Sequence, residues 1–459
     1  MWKPKIINTD NFLYLAVADA LENDIRKGVL KPGEKLPAHR ELADIIGINV
    51  STATRAYQEA ERRGLITGTT GRGTYVSSAF RTDPNILDID TNTPAYIDLG
   101  PVYPLYSQET ELFELMEKLN RKGQLNEFAK YSNPQGHPQH REAGAKWMMS
   151  YGINASPEDI IICAGTQHAL TCCFVSLFQP GDSIGVDKLT YSGLKALVKE
   201  LKIKLVPIDF DGEGMNPENL DSACHREQLK GIYIMSGTQN PTTITMTWGR
   251  KKELAEVALR NHLIVIEDNT YGFTLESKLL SMYSLIPEQC IHIEGLSKAF
   301  FAGLRIAFVV AAKPFKNRMI KAVLNTIWMA PTLNSAIVAE AIMGGYAEKI
   351  VASKLVEAKK RYEIAQKHLE GYTFHGFPNT YFIWLELPDH WNAYEFEMYA
   401  RKGGINLFSA EKFIVGSTLP PKAVRISLSG VDSRETLEEG LKGVAALLKE
   451  EPFEFHSVL

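Results

Sequence analysis

From Ile291 to Val310 the chain reads I-H-I-E-G-L-S-K-A-F-F-A-G-L-R-I-A-F-V-V: two apolar, strand-like runs around a loop of small residues. That loop carries Lys298, with Ser297 before it and Arg305 seven residues after it. A lysine met alone in such a loop is a surface residue. A second run, upstream, changes the weight of that reading. Leu263 to Ile266 is short, apolar and strand-like in pattern, and it ends in Glu267-Asp268-Asn269-Thr270-Tyr271-Gly272. Ionisable and phenolic groups at the C-terminal end of a strand in an α/β sheet stand where such sheets bind ligands.

A lysine, an aspartate and an arginine gathered in one crevice can hold a pyridoxal phosphate. The lysine forms the Schiff base, the aspartate pairs with the protonated pyridine nitrogen, and the arginine meets the phosphate. Further along the chain, Ile160 to Cys163 is strand-like, and Gly165-Thr166-Gln167 turns from it into a helix whose first amides make an anion site. Arg425 lies inside the otherwise apolar run Ala423 to Ser427, where a guanidinium needs a partner.

Ser297-Lys298 followed by Gly303-Leu304-Arg305 resembles the cofactor loop of the fold-type I pyridoxal-phosphate enzymes, the aspartate aminotransferase superfamily. Asp268-x-x-Tyr271 and Gln239-Asn240-Pro241 resemble its Asp, Tyr and Asn-Pro elements, and the match spans most of residues 95 to 455. The resemblance implies a Schiff base on Lys298 and a phosphate held by Thr166, Gln167, Ser297 and Arg305. It places Tyr191 over the cofactor ring, Asn240 and Tyr271 at the ring's phenolic oxygen, and Asp268, ionised, at the pyridinium. It assigns Arg425 to the α-carboxylate of an amino acid. Tyr131 would approach the site across a dimer interface, or would pack its own loop. One position departs from the pattern: Gly295 stands where a Ser or Thr is common.

The first eighty residues have a different character. Leu13 to Arg26 has apolar residues at Leu13, Ala16, Val17, Ala20, Leu21 and Ile25, the recurrence of an amphipathic helix. His39 to Ile46 is a second helix, closed by Gly47, and Asn49 or Ser51 caps a third that ends near Gly64. Short strand-like pieces follow, Leu65-Ile66-Thr67 and Gly73 to Val76, with Thr69 to Gly73 between them. Two short helices with a tight connection and a small wing make a winged helix-turn-helix. The run L-P-A-H-R-E-L-A-D-x-x-G, with R-R-G-L-I and G-R-G-T-Y-V after it, resembles the GntR family of bacterial DNA-binding domains. The resemblance assigns DNA contacts to Arg40, Asn49, Ser51, Thr52, Arg55 and, in the wing, Arg72. Val50 replaces an arginine often found near the start of the third helix. For Arg40 and Arg55 the competing reading is an intradomain ion pair.

At 459 residues the chain exceeds one ordinary core, so several domains are expected. We expect a winged helix at 1–78, a linker at 79–98, a cofactor-binding domain at 99–330, and bridging helices with a smaller subdomain at 331–459. The fold class is α/β, with a mostly parallel central sheet in the large domain. No run of eighteen apolar residues and no signal segment is present, which points to the cytoplasm, and the GntR resemblance implies a bacterial protein associated with the nucleoid through DNA binding. Five cysteines without CxxC spacing argue against a zinc site, and no metal is expected. The net charge is −4, and residues 1–79 carry eleven Lys or Arg against nine Asp or Glu, too slight a bias to argue DNA binding alone.

A winged helix followed by an aminotransferase-like domain resembles the MocR subfamily of GntR regulators. That resemblance implies a head-to-tail homodimer on operator DNA, regulated when an amino acid or amine exchanges onto the cofactor at Lys298. The alternative is an active aminotransferase of amino acids carrying a DNA-binding domain.

Overall fold

The computed structural model describes residues 2–4, 13–26, 29–30, 34–62, 65–69, 73–76, 96–105, 109–275, 280–416 and 419–451. They form two compact units, Met1–Asn85 with Ile414–Pro421, and Ile86–Phe413 with Lys422–Leu459.

In the small unit three helices, Leu13–Arg26, His39–Ile46 and Val50–Arg62, precede a hairpin of Ile66–Thr69 and Gly73–Val76. Their apolar faces meet in one core that includes Val17, Leu21, Leu42, Ala53 and Tyr57. Two local devices set the tight turn. Gly47 closes the second helix in the left-handed region at φ 69, where a side chain would be strained. Glu41 reaches back to the Ala38 amide at 3.1 Å, which fixes the start of the same helix. The Tyr57 hydroxyl donates to the Pro37 carbonyl at 2.9 Å and ties the third helix to the connector. The tip of the wing, including Arg72, lies outside the described residues, as do residues 79–95 of the expected linker. The end of that linker is ordered: Ile97–Asp98 pairs in parallel with Ile405–Asn406.

The large unit is built on a seven-stranded sheet. Its spatial order is Ile160–Cys163, Ala307–Ala311, Cys290–Gly295, Ile264–Asp268, Gly231–Ile234, Ser183–Asp187 and Lys204–Ile208. Only Ala307–Ala311 runs against the others. These strands are almost wholly buried, as expected when helices cover both faces of a parallel sheet. The run expected to end at Ile266 continues through Asp268. Asp268 and Glu267 therefore point to opposite faces, and only Asp268 faces the site.

Past Pro331 two helices, Thr332–Met343 and Tyr346–His368, lead to a four-stranded antiparallel sheet. Its strand Ala423–Ser427 pairs with Phe382–Glu386 and carries Arg425. Among the described residues no helix is long and apolar enough to cross a membrane.

Candidate cofactor site

Strand ends and helix starts of the large unit line a cavity that opens to solvent. Its lining includes Thr166, Gln167, Tyr191, Asn240, Asp268, Tyr271, Ser297, Lys298, Arg305 and Arg425, all of them residues singled out from the sequence. Val102, Ser192, Met235 and Thr270 complete it.

One end is built for an anion. Gly165, at φ 84, starts the helix Thr166–Leu177, whose first amides have no acceptor within the helix. A Cβ on Gly165 would come within 2.5 Å of Arg305 Nη2, so the guanidinium lies against the bare backbone there. Arg305 Nη1 donates to Ser297 Oγ at 2.9 Å. The Gln167 side chain is turned elsewhere: it donates to Gly193 O at 3.1 Å and accepts from the Tyr191 hydroxyl at 3.3 Å. Gln167 therefore offers an anion its amide, while its side chain sets the Tyr191 loop.

The other end is built for a cation. Asp268 is buried, and its Oδ2 accepts from the Tyr233 hydroxyl at 2.9 Å. Its Oδ1 accepts from Thr270 N at 3.0 Å and Thr270 Oγ1 at 2.6 Å. Burial raises the carboxyl's pKa, and the Thr270 and Tyr233 hydrogen bonds oppose it only in part. The sequence argument had Asp268 ionised beside the pyridinium. A cation beside it, such as a protonated ring nitrogen, favours the charged form.

Between these ends stands Lys298, whose Nζ donates to the Val102 carbonyl at 2.5 Å. Burial, with the nearby charges of Arg425 and Arg305, pulls its pKa down to about 8. A substantial share of the amine is then neutral near pH 7.5, the form that attacks an aldehyde. Arg425 is buried among Phe382, Phe408 and Phe413. It donates to Asn240 Oδ1 at 2.7 Å and to the Gly100 carbonyl at 2.6 Å, while its Nε has no hydrogen-bond partner among the described residues. Burial lowers its pKa to about 10. A buried guanidinium with a free donor is a site prepared for an anion. Burial also raises the Tyr191 phenol to about 12, so Tyr191 is neutral here.

An anion cradle, a buried carboxylate, a lysine of lowered pKa and an aromatic wall in one cavity fit pyridoxal phosphate. Tyr131 lies outside this constellation: it is 83% exposed and packs its ring beside Trp328 at 5.9 Å. Thr270 and Tyr233 were not singled out from the sequence. The signal for both was a polar side chain next to, or one strand away from, a buried Asp.

On the far face of the same strand a second polar cluster is buried. Glu267 accepts from Lys251 Nζ at 3.2 Å and contacts His292 Nδ1 at 2.9 Å. These charges satisfy one another and keep the strand's other face dry. Cys163, His168 and Cys172 also bring their donor atoms within 4.8 Å of one another. His168 Nδ1 accepts from the Ala164 amide at 3.0 Å, so its proton sits on Nε2, which faces Thr326 at 2.7 Å. That arrangement leaves no imidazole lone pair for a metal.

In the small unit Arg40, Asn49, Ser51 and Arg55 are exposed and Thr52 is half-buried. Arg40 stands in the second helix and the others at the start of the third. The Arg55 guanidinium lies over the Tyr14 ring at 4.4 Å, which holds it along the helix surface.

The fold and cavity define a fold-type I pyridoxal-phosphate protein, and pyridoxal phosphate is its cofactor. Residues 95–444 match the family of aminotransferase class I and II, and residues 13–76 match the bacterial regulatory proteins of the gntR family. The HTH-type transcriptional regulator YdeF of Bacillus subtilis (strain 168) is 34% identical over 447 residues, covering 97% of this chain and 96% of the relative. The vitamin B6 salvage pathway transcriptional repressor PtsJ of Salmonella typhimurium is 24% identical over 426 residues, 91% of this chain and 95% of that one. Among solved structures an archaeal alanine:glyoxylate aminotransferase aligns with a TM-score of 0.74 at 22% identity, over 86% of this chain and 99% of the other. The chain belongs to the aminotransferase class I and II family, with a GntR-family domain in front: the architecture of the MocR subfamily of regulators.

Proposed function

We propose that the chain is a bacterial, sequence-specific transcriptional regulator that binds operator DNA through its small unit and senses an amino acid or amine in the cavity of its large unit. The observation that carries this reading is the meeting of Lys298, Asp268, Arg305 and Arg425 in one cavity of a chain that also holds a winged helix.

When bound, pyridoxal phosphate supplies an aldehyde for covalent attachment and a ring that withdraws electrons. Lys298 would hold it covalently, Asp268 would stabilise a proton on the ring nitrogen, and Arg305, Ser297 and the amides of Thr166 and Gln167 would hold the phosphate. Tyr191 covers the ring, and Asn240 and Tyr271 orient its phenolic oxygen. Arg425 takes the carboxylate of an amino-acid effector in exchange for its contacts to Asn240 and Gly100.

Sensing requires that a ligand favour one arrangement of the protein over another. The segment Gly100–Leu105 is placed to respond. Its carbonyls at Gly100, Val102 and Leu105 accept from Arg425, Lys298 and Lys354. Cofactor on Lys298 and a carboxylate on Arg425 compete for two of those three clamps. The segment continues, in sequence, from the chain that joins the two units. Hydrogen exchange of residues 97–105 tests this. Amide protection there changes when pyridoxal phosphate and the active amino acid are added; an unchanged profile contradicts the coupling.

The protein works as a homodimer. Tyr131 and Trp328, with ring centroids 5.9 Å apart, expose 83% and 57% of their surfaces, an apolar face suited to a second copy. A dimer would bring Tyr131 to the partner's cavity and two winged helices to paired half-sites. The cavity also retains what a transaminase needs, because a lysine with a pKa of about 8 can exchange protons near neutrality. Release of a ketoacid with regeneration by a second substrate would establish turnover as the main activity.

A further inference from the structure

Gly295 has no room for a side chain. A Cβ there would meet Thr166 Oγ1 at 2.0 Å and Thr270 Oγ1 at 2.6 Å. The space that a hydroxyl at residue 295 would need is already filled by two others. Those two lie 2.9 Å apart, and Thr270 Oγ1 lies 2.6 Å from Asp268 Oδ1.

The direction of these bonds follows from what each group can do. An ionised carboxylate only accepts, so the single hydroxyl proton of Thr270 goes to Asp268. Thr270 Oγ1 can then only accept from Thr166, whose hydroxyl is the donor. The chain runs Thr166 to Thr270 to Asp268, from the start of the anion-binding helix to the carboxylate at the opposite end of the cavity. The Thr270 amide donates to the same Oδ1 at 3.0 Å, so one residue grips that oxygen twice.

We propose that Thr270 is a positioning residue for the cofactor, supplying the hydroxyl that residue 295 lacks and tying the phosphate-facing Thr166 to the ring-facing Asp268. Gly295 is the vacancy that this exchange requires. The two positions form a pair: a hydroxyl at 270 goes with glycine at 295. This inference rests on the pyridoxal-phosphate reading and goes beyond it by naming a residue pair and its directionality.

The pair can be tested by moving the hydroxyl. Thr270→Val removes it at nearly constant volume, Thr270→Ser keeps it, and Thr270→Ala with Gly295→Ser transfers it to the end of the adjacent strand. In the double variant Thr166 loses the bond that fixes its rotamer and is free to turn away from the new side chain. Each full-length protein is titrated with pyridoxal phosphate, reading the dissociation constant and the pH dependence of the visible band of the bound cofactor. We expect Thr270→Val to bind about tenfold more weakly, the loss typical of one hydrogen bond to a charged group. Its band should titrate at a different pH, because Asp268 has lost a donor. Thr270→Ser should match wild type, and the double variant should bind more tightly than Thr270→Ala alone. Wild-type affinity and band in Thr270→Val, or no recovery in the double variant, would overturn the proposal. No band in wild-type protein would instead overturn the cofactor reading beneath it.

Discussion

The guanidinium of Arg425 donates to the side-chain oxygen of Asn240 at 2.7 Å. The two residues come from different subdomains, 185 positions apart, and the bond joins the proposed carboxylate site to the proposed cofactor-ring site. A ligand that turns Arg425 must also release Asn240.

Replacing Arg425 with Lys keeps the charge but loses the planar fork and the grip on both Asn240 and Gly100. Cofactor binding should persist, while the response to an amino acid should weaken by roughly a hundredfold, the cost of a lost bidentate charged contact. Titrating both proteins with amino acids and with the matching decarboxylated amines checks the assignment. The amines should lose little, because they have no carboxylate to dock.

Lys298 should react with the cofactor aldehyde along a pH profile with its midpoint near 8, below the 10.5 of an ordinary lysine. The sign follows from which form reacts. The neutral amine is the nucleophile, and burial with two neighbouring positive charges favours it. Removing one of those charges in Arg425→Gln should move the midpoint upward. Stopped-flow absorbance across the pH range measures both.

Gly165→Ala should damage the phosphate end alone. The residue sits at φ 84, and an added Cβ falls 2.5 Å from Arg305 Nη2. Arg305 must then move off the backbone it covers. Affinity for pyridoxal phosphate should fall about tenfold or more, while affinity for pyridoxal, which lacks the phosphate, should change little.

In the small unit, Arg40→Ala should weaken DNA binding without unfolding the domain, since its side chain is exposed. If Arg40 meets a phosphate, operator and random DNA should weaken alike, and the slope of log affinity against log salt should fall by about 1. A loss confined to the operator would show instead that Arg40 reads a base. Fluorescence anisotropy at several salt concentrations separates the two.

Much of this site could be read along the chain because its groups sit at strand ends and helix starts, which apolar runs and glycines mark out. Arg425 interrupts an apolar run, where a buried charge needs a reason, and Asp268 and Lys298 stand just past the ends of such runs. The hydroxyl pair Thr166–Thr270 was invisible for a different cause. It depends on a register that sets Gly295 against residues more than twenty positions away, and no local pattern encodes that. Asp268 was legible as the partner of a ring nitrogen, while the burial that raises its pKa was not. The clamp on Gly100–Leu105 uses backbone carbonyls, on which side-chain identity leaves no mark. Tyr131 was read as either a dimer contact or a loop residue. Its exposure, beside Trp328, is what argues for the former.

The most direct test records the visible spectrum of the full-length protein with pyridoxal phosphate while a panel of amino acids and amines is added and operator affinity is followed in the same samples. We expect a cofactor band that Lys298→Ala abolishes, and one ligand that shifts the band and changes DNA affinity over the same concentration range. A ligand that shifts the band without changing DNA affinity, or wild-type protein with no band at saturating cofactor, would contradict the assignment of this chain as a sensor.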